Sequence, residues 1–175
     1  TKKWAAKIDS FDGFVFVADK NGNRMQKFTT FGAWAGAWGS SGSGGGQFNG
    51  PTGVALDASG VVYVTDHLNS RVQKFAPAGL YVGEWGSAGA GPGQFTGIWD
   101  IAIDAANHVY VVDAHRIQRF ATDGSYVTEW NSPNAAGIGI DAEGFVYAAC
   151  TSDHVVRKYA PNGTLSIGGS TNAAG

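Results

Sequence analysis

Three histidines stand in comparable places along the chain. His67 follows Asp66 by one position, His115 follows Asp113 by two, and His154 follows Cys150 by four, each in a polar segment between two apolar runs. Imidazoles gathered round one opening are a zinc-binding set, so the three are candidate ligand contacts. Their unequal offsets speak for solvent-facing turn residues instead, and His108, ahead of an apolar run, is a weaker candidate still. Trp99 and Asp100 stand where an earlier stretch has Thr52 and Gly53. An indole there offers a stacking surface and the carboxylate a hydrogen-bond acceptor; packing against neighbouring structure is the alternative role for the Trp. Asp19 with Arg24, Asp66 with Arg71, and Asp113 with Arg116 are spaced to meet across tight turns in charge-assisted hydrogen bonds. Because a catalytic pair is seldom copied along a repeat, these are expected to be structural clips. Cys150, the single cysteine, excludes an intrachain disulfide and has no His or Asp at nucleophile spacing, so an inert thiol is expected. No catalytic set and no metal-ligand set emerges, and no cofactor is required, with zinc or calcium in a channel as the open alternative.

The elements that position these residues recur. Residues 60–75, GVVYVTDHLNSRVQKF, open with an apolar β-branched run, pass through a polar turn, and close in an alternating segment that suits a half-buried strand. Edited copies occur at 14–28, 108–120 and 145–159, and their closing aromatics Phe28, Phe75, Phe120 and Tyr159 lie 47, 45 and 39 positions apart. Periods of this size belong to propeller and solenoid repeats. Each copy supplies four strands, a to d. The a strands are rich in Ala and Gly, the b strands carry valine and aromatics, and the d strands end in Trp38, Trp85 and Trp130. Small residues fit where sheets converge on an axis and bulky ones where they diverge, so the expected fold is an all-β propeller of four-stranded antiparallel blades. The blades are 1–39, 40–86, 87–130 and a degenerate 131–166, with a frayed tail at 167–175. Asp9, Asp57, Asp104 and Asp141 each end an a strand, where Asp bonds its own turn. The Gly-rich segments 40–48 and 86–95 lack the Gly-Lys-Ser/Thr ending of a phosphate cradle and are expected to be flexible connections.

Composition narrows the partners. The 175 residues are 43% hydrophobic and 13% aromatic, enough for a packed core, and no apolar run is long enough for a spanning helix. With a net charge of −2 and basic residues dispersed along the repeats, nucleic acid is a poor fit. The N-terminal TKKWAAKID has no hydrophobic signal region, and a start at Thr1 points to sequence upstream. Asn162-Gly163-Thr164 matches a glycosylation acceptor.

The succession G-Q-F, P-x-G-V-A-x-D, G-x-V-Y-V-T-D-x-x-N-x-R-V-Q-K-F and W-G across residues 46–86 resembles the NHL repeat. That resemblance implies blades around a central channel, usually six of them. Four copies are too few for such a ring, which implies part of a larger propeller or a homo-oligomer joined through open blade edges. The b–c turns and a-strand entrances then face the channel mouth, placing His67, His115, His154, Trp99 and Asp100 as ligand-contact candidates. The resemblance further implies a non-catalytic scaffold for a protein, peptide or glycan. The alternatives are a metal-dependent lyase or lactonase-like enzyme, in whose amidating-lyase relatives histidines hold zinc, and, third, an RNA-binding domain. Low Lys/Arg content leans toward an exported protein.

Overall fold

A computed structural model describes residues 8–170 as sixteen strands and one short 3-10 turn. Every sheet is a four-stranded antiparallel meander in chain order. Blade 1 holds β1 (Ile8–Phe11), β2 (Phe14–Asp19), β3 (Arg24–Thr29) and β4 (Trp34–Trp38). Blade 2 holds β5 (Pro51–Leu56), β6 (Val62–Asp66), β7 (Arg71–Phe75) and β8 (Tyr81–Trp85). Blade 3 holds β9 (Ile98–Ile103), β10 (Val109–Asp113), β11 (Arg116–Phe120) and β12 (Tyr126–Asn131). Blade 4 holds β13 (Ala135–Ile140), β14 (Val146–Cys150), β15 (Val155–Tyr159) and β16 (Leu165–Ser170). The a strands β1, β5, β9 and β13 neighbour one another in succession, giving a four-blade β-propeller.

Hydrophobic burial explains the order of the layers. One core lies at each junction between consecutive blades: Phe16, Met25, Val64 and Phe75 between blades 1 and 2; Tyr63, Val72, Ile101 and Phe120 between 2 and 3; Tyr110, Ile117, Ile138 and Tyr159 between 3 and 4. No core cluster among the described residues joins blade 4 to blade 1. Residues of β6 and β10 are buried throughout, because alternate side chains feed two different cores. The c strand β7 is likewise buried at four of its five positions rather than half-buried, since blades cover it on both faces. Every c–d pairing slips register at the closing aromatic, between Lys27/Phe28, Lys74/Phe75, Arg119/Phe120 and Lys158/Tyr159, so the bulge belongs to the repeat.

Two expectations change in detail. Residues 167–170, read as the start of a tail, complete β16, paired with β15 through Val156 and Gly169; residues 171–175 lie outside the described ones. The Gly-rich connections are held rather than flexible. Ser41 bridges to Phe48 and Ala88 to Phe95, while Phe48 and Phe95 are buried beneath the next blade's Phe75 and Phe120. Among the described residues no helix is long and apolar enough to cross a membrane.

Candidate functional site

The b–c turns end where β2, β6 and β10 present a buried Asp. In blade 2, register pairs Asp66 with Arg71, and Arg71 Nε donates to Asp66 Oδ2 at 2.8 Å. The rest of the guanidinium fans outward. Nη1 donates to Glu84 Oε2 at 2.8 Å and Ser43 O at 2.7 Å, and Nη2 to Gly44 O at 2.9 Å and Gln47 O at 2.8 Å. All five donors are engaged, which fits a side chain whose planar fork is fixed and whose charge is out of water. Blade 3 repeats the arrangement: Arg116 reaches Asp113 at 2.9 Å, Glu129 at 2.8 Å and the carbonyls of Ala90, Gly91 and Gln94. Burial works against the Arg116 charge, but Asp113 and Glu129 outweigh it and hold its pKa above the ordinary value. Blade 1 has the Arg24–Asp19 contact at 3.0 Å on a half-exposed Arg24. These six residues therefore lie at the hairpin ends, and in blades 2 and 3 they also fasten the incoming Gly-rich loop. Gln73 and Gln118 share that task, each donating to both the blade's Asp and the loop carbonyl of Gln47 or Gln94. The recurring Gln two positions after each Arg was the signal for it.

Where blades 1 to 3 converge on the turn face, the structure brings together Lys20, His67 and Trp99. The rings of His67 and Trp99 lie 4.4 Å apart between centroids, and Lys20 Nζ sits 5.4 Å over the indole. His67 Nδ1 donates to Ile98 O at 2.6 Å, which fixes the ring against blade 3 and, in the neutral form, leaves Nε2 as an acceptor. Trp99 is 40% exposed and Leu68, in the same 3-10 turn as His67, is 63% exposed. Leu68 and Lys20 both border Gly50, whose added Cβ would lie 3.8 Å from each. The result is an apolar, aromatic and basic patch spanning three blades. Lys20 follows Asp19 as His67 follows Asp66, a shared repeat position that marks Lys20 in the sequence.

The other candidates lie elsewhere. Asp100 turns into the junction of blades 3 and 4, where its oxygens accept the backbone N–H of Ile101 at 2.8 Å and Ile138 at 2.9 Å. His115 is exposed in its two-residue turn. His154, exposed and with φ of 54°, borders a shallow hollow of about 330 Å³ with Cys150, Thr151 and Val156 on blade 4. Among the described residues no three His, Cys, Asp or Glu side chains are grouped to hold a metal ion. Cys150 is a buried free thiol in the last core.

The opposite rim carries the a–b turns. A cleft of about 270 Å³ between blades 3 and 4 is lined by Asp104, His108, Tyr110, Arg119, Glu143 and Pro161. Asp104 accepts from Tyr110 Oη and pairs with His108 Nδ1, both at 2.9 Å. Burial alone raises the Asp104 pKa, yet the His108 amide and imidazole and the Tyr110 hydroxyl bring it below the usual carboxylate value. Tyr110 is pushed up to about 12, first by burial and then by the hydrogen bond and charge of Asp104. The same Tyr–Asp bond recurs at Tyr63–Asp57 and Tyr147–Asp141, so the rim pattern is a blade feature.

Solved structures similar to this fold include virginiamycin B lyase from Staphylococcus aureus, at 18% identity and a TM-score of 0.73 over 94% of this chain and 55% of that one. A streptogramin B lyase aligns at 14% identity and 0.72, over 98% of this chain and 56% of the other. The WD40 repeats of RRP9 align at 14% and 0.71, over 91% of this chain and 48% of theirs. The chain thus spans about half the length of the structures it resembles. A comparison with curated proteins gives no match. Residues 48–75, which run from the buried Phe48 to the closing Phe75 of blade 2, match the NHL repeat. With the same strand order in every blade and the Asp–Arg clip also in blades 1 and 3, the chain is a four-blade β-propeller that carries an NHL repeat in blade 2.

Proposed function

We propose that this chain is a non-catalytic recognition scaffold whose turn face binds a protein or peptide segment carrying an acidic group beside an apolar one. The observation that supports it is the patch itself: an exposed indole flanked by an ammonium and an imidazole, with Leu68 extending the apolar surface. Amphipathic aromatics next to cations are typical of interface anchors, and the Lys20 ammonium favours a carboxylate over a base. Asp100 contributes by joining blades 3 and 4 beneath the patch rather than by touching the ligand. Lyase chemistry is what the similar Staphylococcus aureus protein is named for, and at 18% identity the likeness extends to fold alone.

The test is an array of acidic, basic and neutral peptides, together with glycans, probed with the native protein and with Trp99→Ala and Lys20→Glu. Expected are binding to acidic peptides, a loss of about tenfold or more in each variant, and melting temperatures near the native value. Equal binding by native and variant proteins, or a melting temperature that falls while binding persists, returns both residues to the scaffold. Stoichiometric zinc or calcium in the purified protein, found by elemental analysis, would replace this reading with the enzyme one.

A further inference from the structure

Three contacts repeat at every junction between blades. A cation from the c strand caps a carbonyl of the next blade's c–d turn: Lys27 Nζ to Pro77 O at 3.3 Å, Lys74 Nζ to Thr122 O at 2.6 Å, and Arg119 Nη1 to Pro161 O at 3.0 Å. A d-strand indole covers the glycine of that same turn. A Cβ on Gly79, Gly124 or Gly163 would come within 2.8, 2.9 and 2.6 Å of Trp38, Trp85 and Trp130. Each indole also meets the next blade's closing aromatic at 5.8 Å, in Trp38–Phe75, Trp85–Phe120 and Trp130–Tyr159.

Both ends of the arc carry half of this contact. On blade 1 the receiving half is in place: Gly32, with φ of 84°, has the turn geometry of the other three, and no described residue lies within 4 Å of its added Cβ. Thr30 occupies the position of Pro77, Thr122 and Pro161, and Phe28 that of Phe75. On blade 4 the donating half is posed. Lys158 Nζ lies 3.9 Å from the Phe145 ring and 5.0 Å from Tyr147, matching Lys27 at 3.9 Å from Phe14 and 5.2 Å from Phe16. Lys27 reaches the carbonyl of Pro77, whereas Lys158, 3.7 Å from Asp141 Oδ2, has no turn carbonyl ahead of it among the described residues.

One element is exchanged. Where Trp38, Trp85 and Trp130 pair in register with Met25, Val72 and Ile117, blade 4 pairs Gly169 with Val156, which is 47% exposed. The turn of blade 1 supplies an aromatic instead. Phe31, 99% exposed, stands next to Gly32 where the other turns have Ala78, Asp123 and Asn162. An indole missing from the donor face and a phenyl added to the receiving turn are complementary.

We propose that blade 4 of one copy of this chain docks on blade 1 of a second copy, with Lys158 on the carbonyl of Thr30 and Phe31 in the place left at Gly169. The interface is heterologous, so copies close into a ring if the rotation allows and extend head to tail if it does not. This surface is separate from the Trp99 patch and stands or falls without it.

Sedimentation velocity across a concentration series is the first measurement, with circular dichroism confirming that each variant is folded. Association at micromolar concentration is expected, weakened about tenfold or more by Phe31→Ser and by Lys158→Glu. The orientation is read by mixing a Phe31→Cys chain with a Gly169→Cys chain, both carrying Cys150→Ser, under mild oxidation. A cross-link that requires both chains supports head-to-tail docking. A monomer at every concentration, association unaffected by both surface variants, or a cross-link formed equally by Phe31→Cys alone overturns it; the last two outcomes indicate a different interface, and the first leaves blade 1 to a partner other than a second copy.

Discussion

Asp19, Asp66 and Asp113 occupy one position of the repeat but differ in what surrounds them. Asp66 is fully buried and holds a guanidinium that is itself 6% exposed, whereas the Arg24 paired with Asp19 is 48% exposed. Removing the buried Asp66 carboxylate leaves Arg71 with the more exposed Glu84 as its acidic partner and takes the acceptor from the Asn49 amide, Asn69 and Gln73. The cost is set by buried groups stranded out of water rather than by one bond lost. Asp66→Ala is therefore expected to destabilise by about 3–5 kcal/mol. Asp19→Ala, whose partner can turn to water, should cost about 1–2 kcal/mol. Urea denaturation of both variants checks the ordering, and equal losses would show that the loop contacts of Arg71 contribute nothing to the difference. The Asp–Arg spacing was legible in the sequence because both residues border one turn. The loop carbonyls of Ser43, Gly44 and Gln47 were not, since they are neighbours of Arg71 only after segment 40–48 folds back.

At the scale of elements, the strands and their order follow from local pattern: the β-branched b runs, the closing aromatics and the small a strands each have one consistent place in a radiating sheet. What joins one blade to the next is carried by turns, where pattern is thin. Gly79 and Gly32 illustrate this, with φ of 87° and 84°, both in the left-handed region. Ala at Gly32 meets only the backbone cost, about 1 kcal/mol. Ala at Gly79 must also displace Trp38, whose indole would be 2.8 Å away, and is expected to cost about 2–4 kcal/mol. Thermal melts in dilute protein compare the two. Equal losses would mean that the indole shifts freely and that the Trp–Gly seat is not what fixes blade spacing. From sequence the two glycines look alike, because the indole that distinguishes them comes from a strand some forty residues earlier. The Lys20–Trp99 contact was hidden for a similar reason: its members come from blades 1 and 3 and meet only through the curvature of the whole array.

For the molecule as a whole, stability is a chain of neighbour terms. Among the described residues, blades 2 and 3 have a core on each face, while blades 1 and 4 have one on a single face. In arrays of this kind the terminal units open first, since opening them breaks one junction instead of two. Amide exchange in dilute native protein should therefore be slowest in β6, β7, β10 and β11, where Val64, Val72, Val111 and Ile117 are fully buried. Exchange in β2, β3, β14 and β15 should be faster by about a hundredfold, as expected when a sub-global opening lies a few kcal/mol below the global one. The contrast depends on both ends remaining open. Raising the protein concentration until copies associate should bring blades 1 and 4 toward the protection of the inner pair, because each then gains its second core. Uniform protection in dilute protein would mean that the four blades unfold as one unit, and the neighbour description of this fold would have to be given up.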